Sequence, residues 1–173
     1  NLIIVKYPKS LKYSEDNYIR QSRGIIINYD TKSIVNHSIE GDISIDQFIK
    51  QIPDWNDIVV EECLDGTLLN LYYINNSWKL STKFSVNADE SIFRGNKTYR
   101  QLFDEVSRIN YDNLDKNYTY SFLLQHNEAR NVSVITRNKI YHLESTNNVT
   151  GDKVKIDIPT TLSSKVLYYN NYV

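Results

Sequence analysis

Residues 68–74 and 78–83 are two short, strand-like runs separated only by Asn75-Asn76-Ser77. A connection of that length cannot carry the crossover of about a dozen residues that parallel strands need, so the two must pair antiparallel. Asp30-Thr31-Lys32 and Arg137-Asn138-Lys139 are turn signals of the same kind. Further strand-like runs fall at 2–7, 24–29, 58–63, 120–125, 132–136, 140–144 and 154–158. Two helices stand among them. Ser44 caps a short one through Phe48 and Ile49, stopped before Pro53. The other spans 98–108, with Tyr99, Leu102, Phe103 and Val106 on one face. Many strands, few helices and no βαβ alternation predict an α+β fold of antiparallel sheets.

The 173 residues predict one domain over 1–165 and an Asn/Tyr-rich tail at 166–173, poorly ordered or awaiting a partner. A formal net charge of −1 excludes a global basic field, so any polyanion site must be a local patch. No apolar run reaches membrane-spanning length and no signal-peptide pattern opens the chain, so no membrane partner is expected. A single cysteine forms no internal disulfide, which points to an intracellular protein, cytoplasmic or virion-associated. The missing Met at position 1 indicates a processed chain or a fragment. The wealth of Asn, Ile, Lys and Tyr points to an AT-rich genome, such as that of a virus or an extrachromosomal element.

Three local patterns bear on chemistry. Cys63-Leu64-Asp65-Gly66-Thr67 places the only cysteine two residues before an Asp-Gly pair, itself ordinary hairpin punctuation. On the run 78–83, Lys79, Ser81 and Lys83 share one face and Trp78, Leu80 and Thr82 the other. The two lysines lie about 13 Å apart at a rise of about 3.3 Å per residue. That spacing suits two phosphates of one nucleotide, or one phosphate and one solvated lysine; a solvent-facing stripe is the plainer reading. Arg23-Gly24 leads into Ile25-Ile26-Ile27, where an arginine either caps a strand end or grips phosphate.

Together and in this order, these patterns resemble the phage- and virus-type RNA ligase 1 family. Arg23-Gly24-Ile25-Ile26-Ile27 is similar to its upstream Arg-Gly-Ile-(Ile/Met)-Phe element. Cys63-Leu64-Asp65-Gly66-Thr67-Leu68 resembles motif I, Lys-x-Asp-Gly-(Ser/Thr)-Leu. Residues 78–85 are similar to Trp-x-x-x-Thr-(Lys/Arg)-Gly-Ser, and 122–132 to Phe-Glu-Phe-x-x-Pro-x-Asn-Arg-Ile-Val. The likeness covers residues 20–145. It implies a nucleotidyltransferase (ATP-grasp-like ligase) adenylation-domain architecture. In that family the motif I lysine attacks the α-phosphate of ATP with Mg²⁺ assisting, and AMP passes to an RNA 5′-phosphate before the strand is sealed. It also implies Arg23, Lys79 and Lys83 near nucleotide or RNA phosphates, with Asp65 and Gly66 shaping the nucleophile's loop.

The departures bear directly on activity. Cys63 stands where the nucleophilic lysine belongs, with no evident base to activate it. Leu123 replaces the acidic residue of the third motif, and Phe84 replaces a glycine, which is expected to block close approach of a ligand to the backbone. The chain ends before a Glu-Gly motif IV or a Lys-x-Lys motif V. The expectation is therefore an RNA-ligase-like domain without catalysis, a binding or scaffolding module in a larger, viral assembly. It would require no cofactor, would meet RNA or nucleotide phosphates at a local basic cleft, and would have protein partners. The alternative is an active RNA ligase or RNA-end-processing enzyme, using ATP and Mg²⁺, represented by a fragment or nucleophile variant. A third reading is an unrelated interaction protein whose Asp-Gly turn is coincidental.

The other polar residues are read as structural. His37, His126 and His142 are not at metal-ligand spacing, so no metal site is expected. Glu61 and Glu62 fit solvated or salt-bridged roles. The tyrosines, which offer faces for base stacking, fit sheet packing.

Overall fold

The computed structural model describes all residues except 12–13, 52–53, 55, 57, 93–94, 130–131, 160, 163–165 and 168–173. Pro53 and the end of the tail thus lie outside the described residues. Among the described residues three sheets form, all antiparallel. The first is β1 (Leu2–Lys6), β2 (Arg23–Asn28) and β3 (Ser33–Asn36) in that spatial order. The largest joins β5 (Thr67–Ile74), β6 (Ser77–Thr82), β7 (Tyr118–Gln125), β8 (Lys139–Asn147) and β9 (Lys153–Val154) in the order β6-β5-β7-β8-β9. A two-stranded ribbon pairs β4 (Val60–Glu61) with β10 (Val166–Leu167). The helices are α1 (Asn17–Gln21), α2 (Ile45–Gln51) and α3 (Tyr99–Val106). The expected α+β class with antiparallel sheets is observed. None of the described helices is long and apolar enough to cross a membrane.

The β5–β6 hairpin forms as its loop requires. Asn75 and Asn76 both take positive φ, 49° and 57°, and Ile74 faces Ser77 across the turn. This is the geometry that a right-twisted two-residue hairpin needs and that asparagine tolerates. Ser44 caps α2, its Oγ accepting from Gln47 N while Gln47 Oε1 accepts from Ser44 N. Thr98 makes the same reciprocal pair with Gln101 at α3, which ends at Val106 because Ser107 turns extended.

Other expectations need correction. Residues 132–136 form no strand: the Val132 and Ser133 amides are held by Asp65 instead of by a neighbouring strand. The partner of β8 is therefore β7, with Gln125 opposite Lys139, and Arg137-Asn138-Lys139 closes no tight hairpin. The run at 58–63 contracts to β4, which pairs with a distant segment, so Asp65-Gly66 joins two different sheets. The run at 154–158 contracts to β9 at Lys153–Val154. Sequence patterning gave no sign of α1 or β10; β3 follows the Asp30-Thr31-Lys32 turn signal and pairs antiparallel with β2.

The five-stranded sheet has two unlike faces. Leu69, Leu71, Leu80, Tyr120, Phe122 and Leu124 form a dry core with Leu102 and Phe103 of α3. Phe103 meets Phe122 edge-on, centroids 5.6 Å apart. On the opposite face, Ser81, Asn70, Ser121 and Glu144 stand in register across four strands. The three-stranded sheet lies over this polar face, with β2 touching the backbone of Lys83 at Gly24 and His37 N donating to Thr119 Oγ1 (3.2 Å). Phe103 is the main anchor of α3 on the dry face. Phe103→Ala should lower unfolding free energy by about 3–5 kcal/mol, read from the urea midpoint; a loss below about 1 kcal/mol would contradict the packing.

Candidate functional site

The segment before β5 is fixed by close contact. A Cβ on Gly66 would lie 2.8 Å from Leu124 O and 2.9 Å from Leu123 Cγ, so only glycine lets the chain pass β7 there. Gln125 Nε2 donates to Asp65 O (2.9 Å). Asp65 Oδ2 accepts from Ser133 N (2.7 Å) and Val132 N (3.1 Å). The Ser133 amide first, then that of Val132, holds the carboxyl below its ordinary value. Asp65 thus serves as a clamp on the loop that follows β7. Cys63, two residues upstream, is solvent-exposed and lies outside any strand.

Gly24, the residue after Arg23, lies against the backbone of Lys83 at one end of the large sheet. Gly24, at φ 103°, rests on Lys83, where a Cβ would stand 3.3 Å from its carbonyl oxygen. Thr82, which precedes Lys83, pairs with Leu69, two residues into β5 from Thr67. Arg23 Nη1 donates to Glu40 O (2.9 Å) and lies 3.6 Å from Asp42. Its Nε is buried without a hydrogen-bond partner. Lys6 faces Arg23 across the β1–β2 pair. Lys79 is not part of this group. It sits opposite Tyr72, four residues along β6 and about 13 Å from Lys83. Ser81, between the two lysines, is fully buried, so the face they share is not a solvent stripe.

The two other departures behave differently in three dimensions. Leu123 packs under the Gly66 turn, putting hydrocarbon where the motif carries a carboxylate. Phe84 does not project inward. Its side chain is 66% exposed, so the expected blockage of the backbone does not arise from the ring.

Sequence reasoning passed over two features. Arg23 Nε, Asn36 Oδ1, Ser38 Oγ, Asn70 Nδ2 and Glu144 Oε1 are buried polar atoms without partners, on the facing elements of the two larger sheets. Burial pushes the Glu144 carboxyl up, although Lys153 lies 3.7 Å away. The signal available was Asn70, a lone amide inside Leu68-Leu69-Asn70-Leu71-Tyr72. Ser38 also lines a cavity of about 290 Å³ with His37, Glu40, Thr146 and Lys153. The second feature joins Glu105, His126 and Glu128, whose ligand atoms lie within 4.8 Å of one another. Lys97 Nζ bridges the two carboxylates at 2.8 and 2.7 Å, so an ammonium already offsets part of their charge. These residues come from α3 and from beyond β7, and no local spacing announces them.

No family model matches the chain. It is similar to a protein of Autographa californica nuclear polyhedrosis virus described as "Putative bifunctional polynucleotide kinase/RNA ligase". The chain is distantly similar to this viral protein. Identity is 22% over 173 aligned positions, covering 88% of this chain. The match takes in 25% of the viral protein, so the chain spans about a quarter of the length of the relative it matches. The similarity supports a distant RNA-ligase-like relationship, consistent with the motif order read from the residues.

Two outcomes test the loop geometry. Because the folded-state pKa of Asp65 is depressed, its clamp is complete above the ordinary Asp value of about 3.9 and is lost as pH falls through the lower folded value. The Val132 and Ser133 amide NMR shifts should titrate together with a midpoint below that value and lose the transition in Asp65→Asn; a midpoint at or above it would contradict the clamp. Gly66→Ala should cost about 1–3 kcal/mol by overpacking, measured by urea denaturation.

Proposed function

We propose that the chain is an RNA-ligase-like domain that binds nucleotide or RNA phosphates at the Arg23–Lys83 end and does not perform adenylyl transfer, serving as a binding or scaffolding module within a larger assembly. The observation that carries this reading is the contrast around Gly66. The turn is built to tight tolerance, while the two side chains that would do chemistry beside it are Cys63 and Leu123. Adenylyl transfer needs an unprotonated amine to attack the α-phosphate, displacing pyrophosphate, in a site whose charges hold the metal and triphosphate. A hydrocarbon at position 123 offers nothing to the metal or the ribose. Arg23 and Lys83 supply positive charge for phosphate. Binding in this role requires neither ATP nor Mg²⁺.

A second reading, an active ligase with an altered nucleophile, draws on the same turn. Its backbone is in place, so restoring the amine is a direct test. Native protein and Cys63→Lys are incubated with α-labelled ATP and Mg²⁺ and resolved on a denaturing gel. The native chain should carry no label. Label on the native chain would overturn the proposal and name a working nucleophile elsewhere. Label on Cys63→Lys alone would show that the missing amine is what silences the domain.

A further inference from the structure

The cavity at Ser38 belongs neither to the turn at Gly66 nor to the phosphate site proposed above, since Gly66, Arg23 and Lys83 do not line it. Its volume of about 290 Å³ is close to the lower end of the range of about 300–1,000 Å³ for small-molecule sites. Ile25 and Ile34 of the small sheet line it together with His37, Ser38 and Glu40, which follow β3. Thr146 and Lys153 reach it from the β8–β9 hairpin. Ser38 is 7% exposed, and its Oγ has no hydrogen-bond partner among the described residues. A buried hydroxyl in that state costs stability unless something enters to satisfy it. Burial lowers the His37 pKa, so the imidazole is neutral near pH 7. One ring nitrogen donates to the Asn148 carbonyl, which leaves the other as an acceptor.

The full charges at the cavity are already matched. Lys153 Nζ lies 3.3 Å from Glu40 Oε1 and 3.7 Å from Glu144 Oε2. Glu40 Oε2 accepts from Arg20 Nη2 at 3.2 Å. An ionic ligand would have to break one of these part-buried pairs, which disfavours anions and cations alike. A purely apolar ligand would seal the Ser38 hydroxyl and the His37 lone pair away from any partner. What fits is a small uncharged molecule, rich in hydrogen-bonding groups, with hydrocarbon to set against Ile25 and Ile34. A sugar ring carries hydroxyls that both donate and accept around its rim, and C–H groups on its faces. A nucleobase, by contrast, confines its donors and acceptors to one plane, whereas the polar groups here come from two separate segments of chain.

We infer that this cavity is a binding site for a single sugar ring, with Ser38 Oγ and the His37 imidazole as hydrogen-bonding partners and Ile25 and Ile34 as the apolar wall. The inference goes beyond the phosphate-binding reading and does not rest on it. The ring has two sources, a free sugar or the ribose of a nucleoside, and the arms of the test separate them.

The test follows the Ser38 and Thr146 amide shifts by NMR while ribose, glucose, uridine, uracil and inorganic phosphate are titrated in separately. At least one of ribose, glucose and uridine should give a saturable shift at these amides, and uracil and phosphate none. Ribose or glucose binding as tightly as uridine marks a free sugar as the ligand; tighter binding of uridine, with uracil silent, marks the ribose of a nucleoside. Affinity should change less than about two-fold between about 0.05 and 0.5 M salt, because no net charge is matched. Ser38→Ala should weaken the bound ring about two- to ten-fold, the worth of one hydrogen bond. It should do so without lowering the urea midpoint, since the hydroxyl it removes is unpartnered. No saturable shift with any of the three sugars up to about 50 mM, far above a millimolar constant, would overturn the site and leave a cavity that holds only water. So would a saturable shift of these amides with uracil or phosphate. A Ser38→Ala protein with a lowered midpoint and unchanged sugar affinity would also overturn it, by marking the hydroxyl as structural.

Discussion

β5 is the strand on which the molecule depends. It is paired on both sides, with β6 and β7, and its side chains alternate between two incompatible environments. Leu69 and Leu71 enter a dry core closed by α3, while Asn70 and Tyr72 point the other way and are equally buried. A one-residue slip would put an amide into the hydrocarbon core and leucines into the polar layer. The register of β5 is therefore fixed from both faces, and with it the position of Thr67 and the turn that precedes it.

The polar layer has a physical cost that the dry face does not. Ser121 Oγ donates to Asn70 Oδ1 (2.9 Å) and Ser81 Oγ donates to Asn70 O, yet Asn70 Nδ2 stays without a partner. Tyr72 escapes the problem by donating its hydroxyl to Val86 O (2.8 Å), and burial drives its pKa up to about 12. A sheet chosen for stability alone would fill this layer with hydrocarbon. Keeping amides, hydroxyls and a carboxylate between two sheets costs stability and leaves directional groups facing an interior space.

Much of the large sheet was legible because its signals are local. The Asn75-Asn76-Ser77 turn, the Ser44 cap and the alternation along β6 each act within a few residues, and each formed as read. The failures share a cause, which is competition from distant groups. The amides of Val132 and Ser133 find a carboxylate 67 and 68 residues away in place of a strand. Val60 and Glu61 find Leu167 and Val166. The site was legible to the same degree. β2 comes against Lys83 because Gly24 has no side chain, a reason visible in sequence only as a glycine after an arginine. Lys79 shares a strand face with Lys83 but stays about 13 Å away, since strand geometry places residues without bringing them together.

Framework and chemistry are separable in this fold because they rest on different atoms. Gly66 is constrained by Leu124 O and Leu123, and Gly24 by the backbone of Lys83, so their identity is set by space. Position 63 is exposed and meets no such constraint, so a lysine can become a cysteine there without disturbing the sheet. Position 123 is constrained toward hydrocarbon, because a leucine packs under the turn where a carboxylate would need a charged partner. Phe84 shows the converse. Its ring is two-thirds exposed, so a side chain there is accommodated on the outer surface without displacing the backbone. A chain whose scaffold residues are held by sterics, and whose reactive positions are held by selection for chemistry, will lose the second before the first once the chemistry is no longer required.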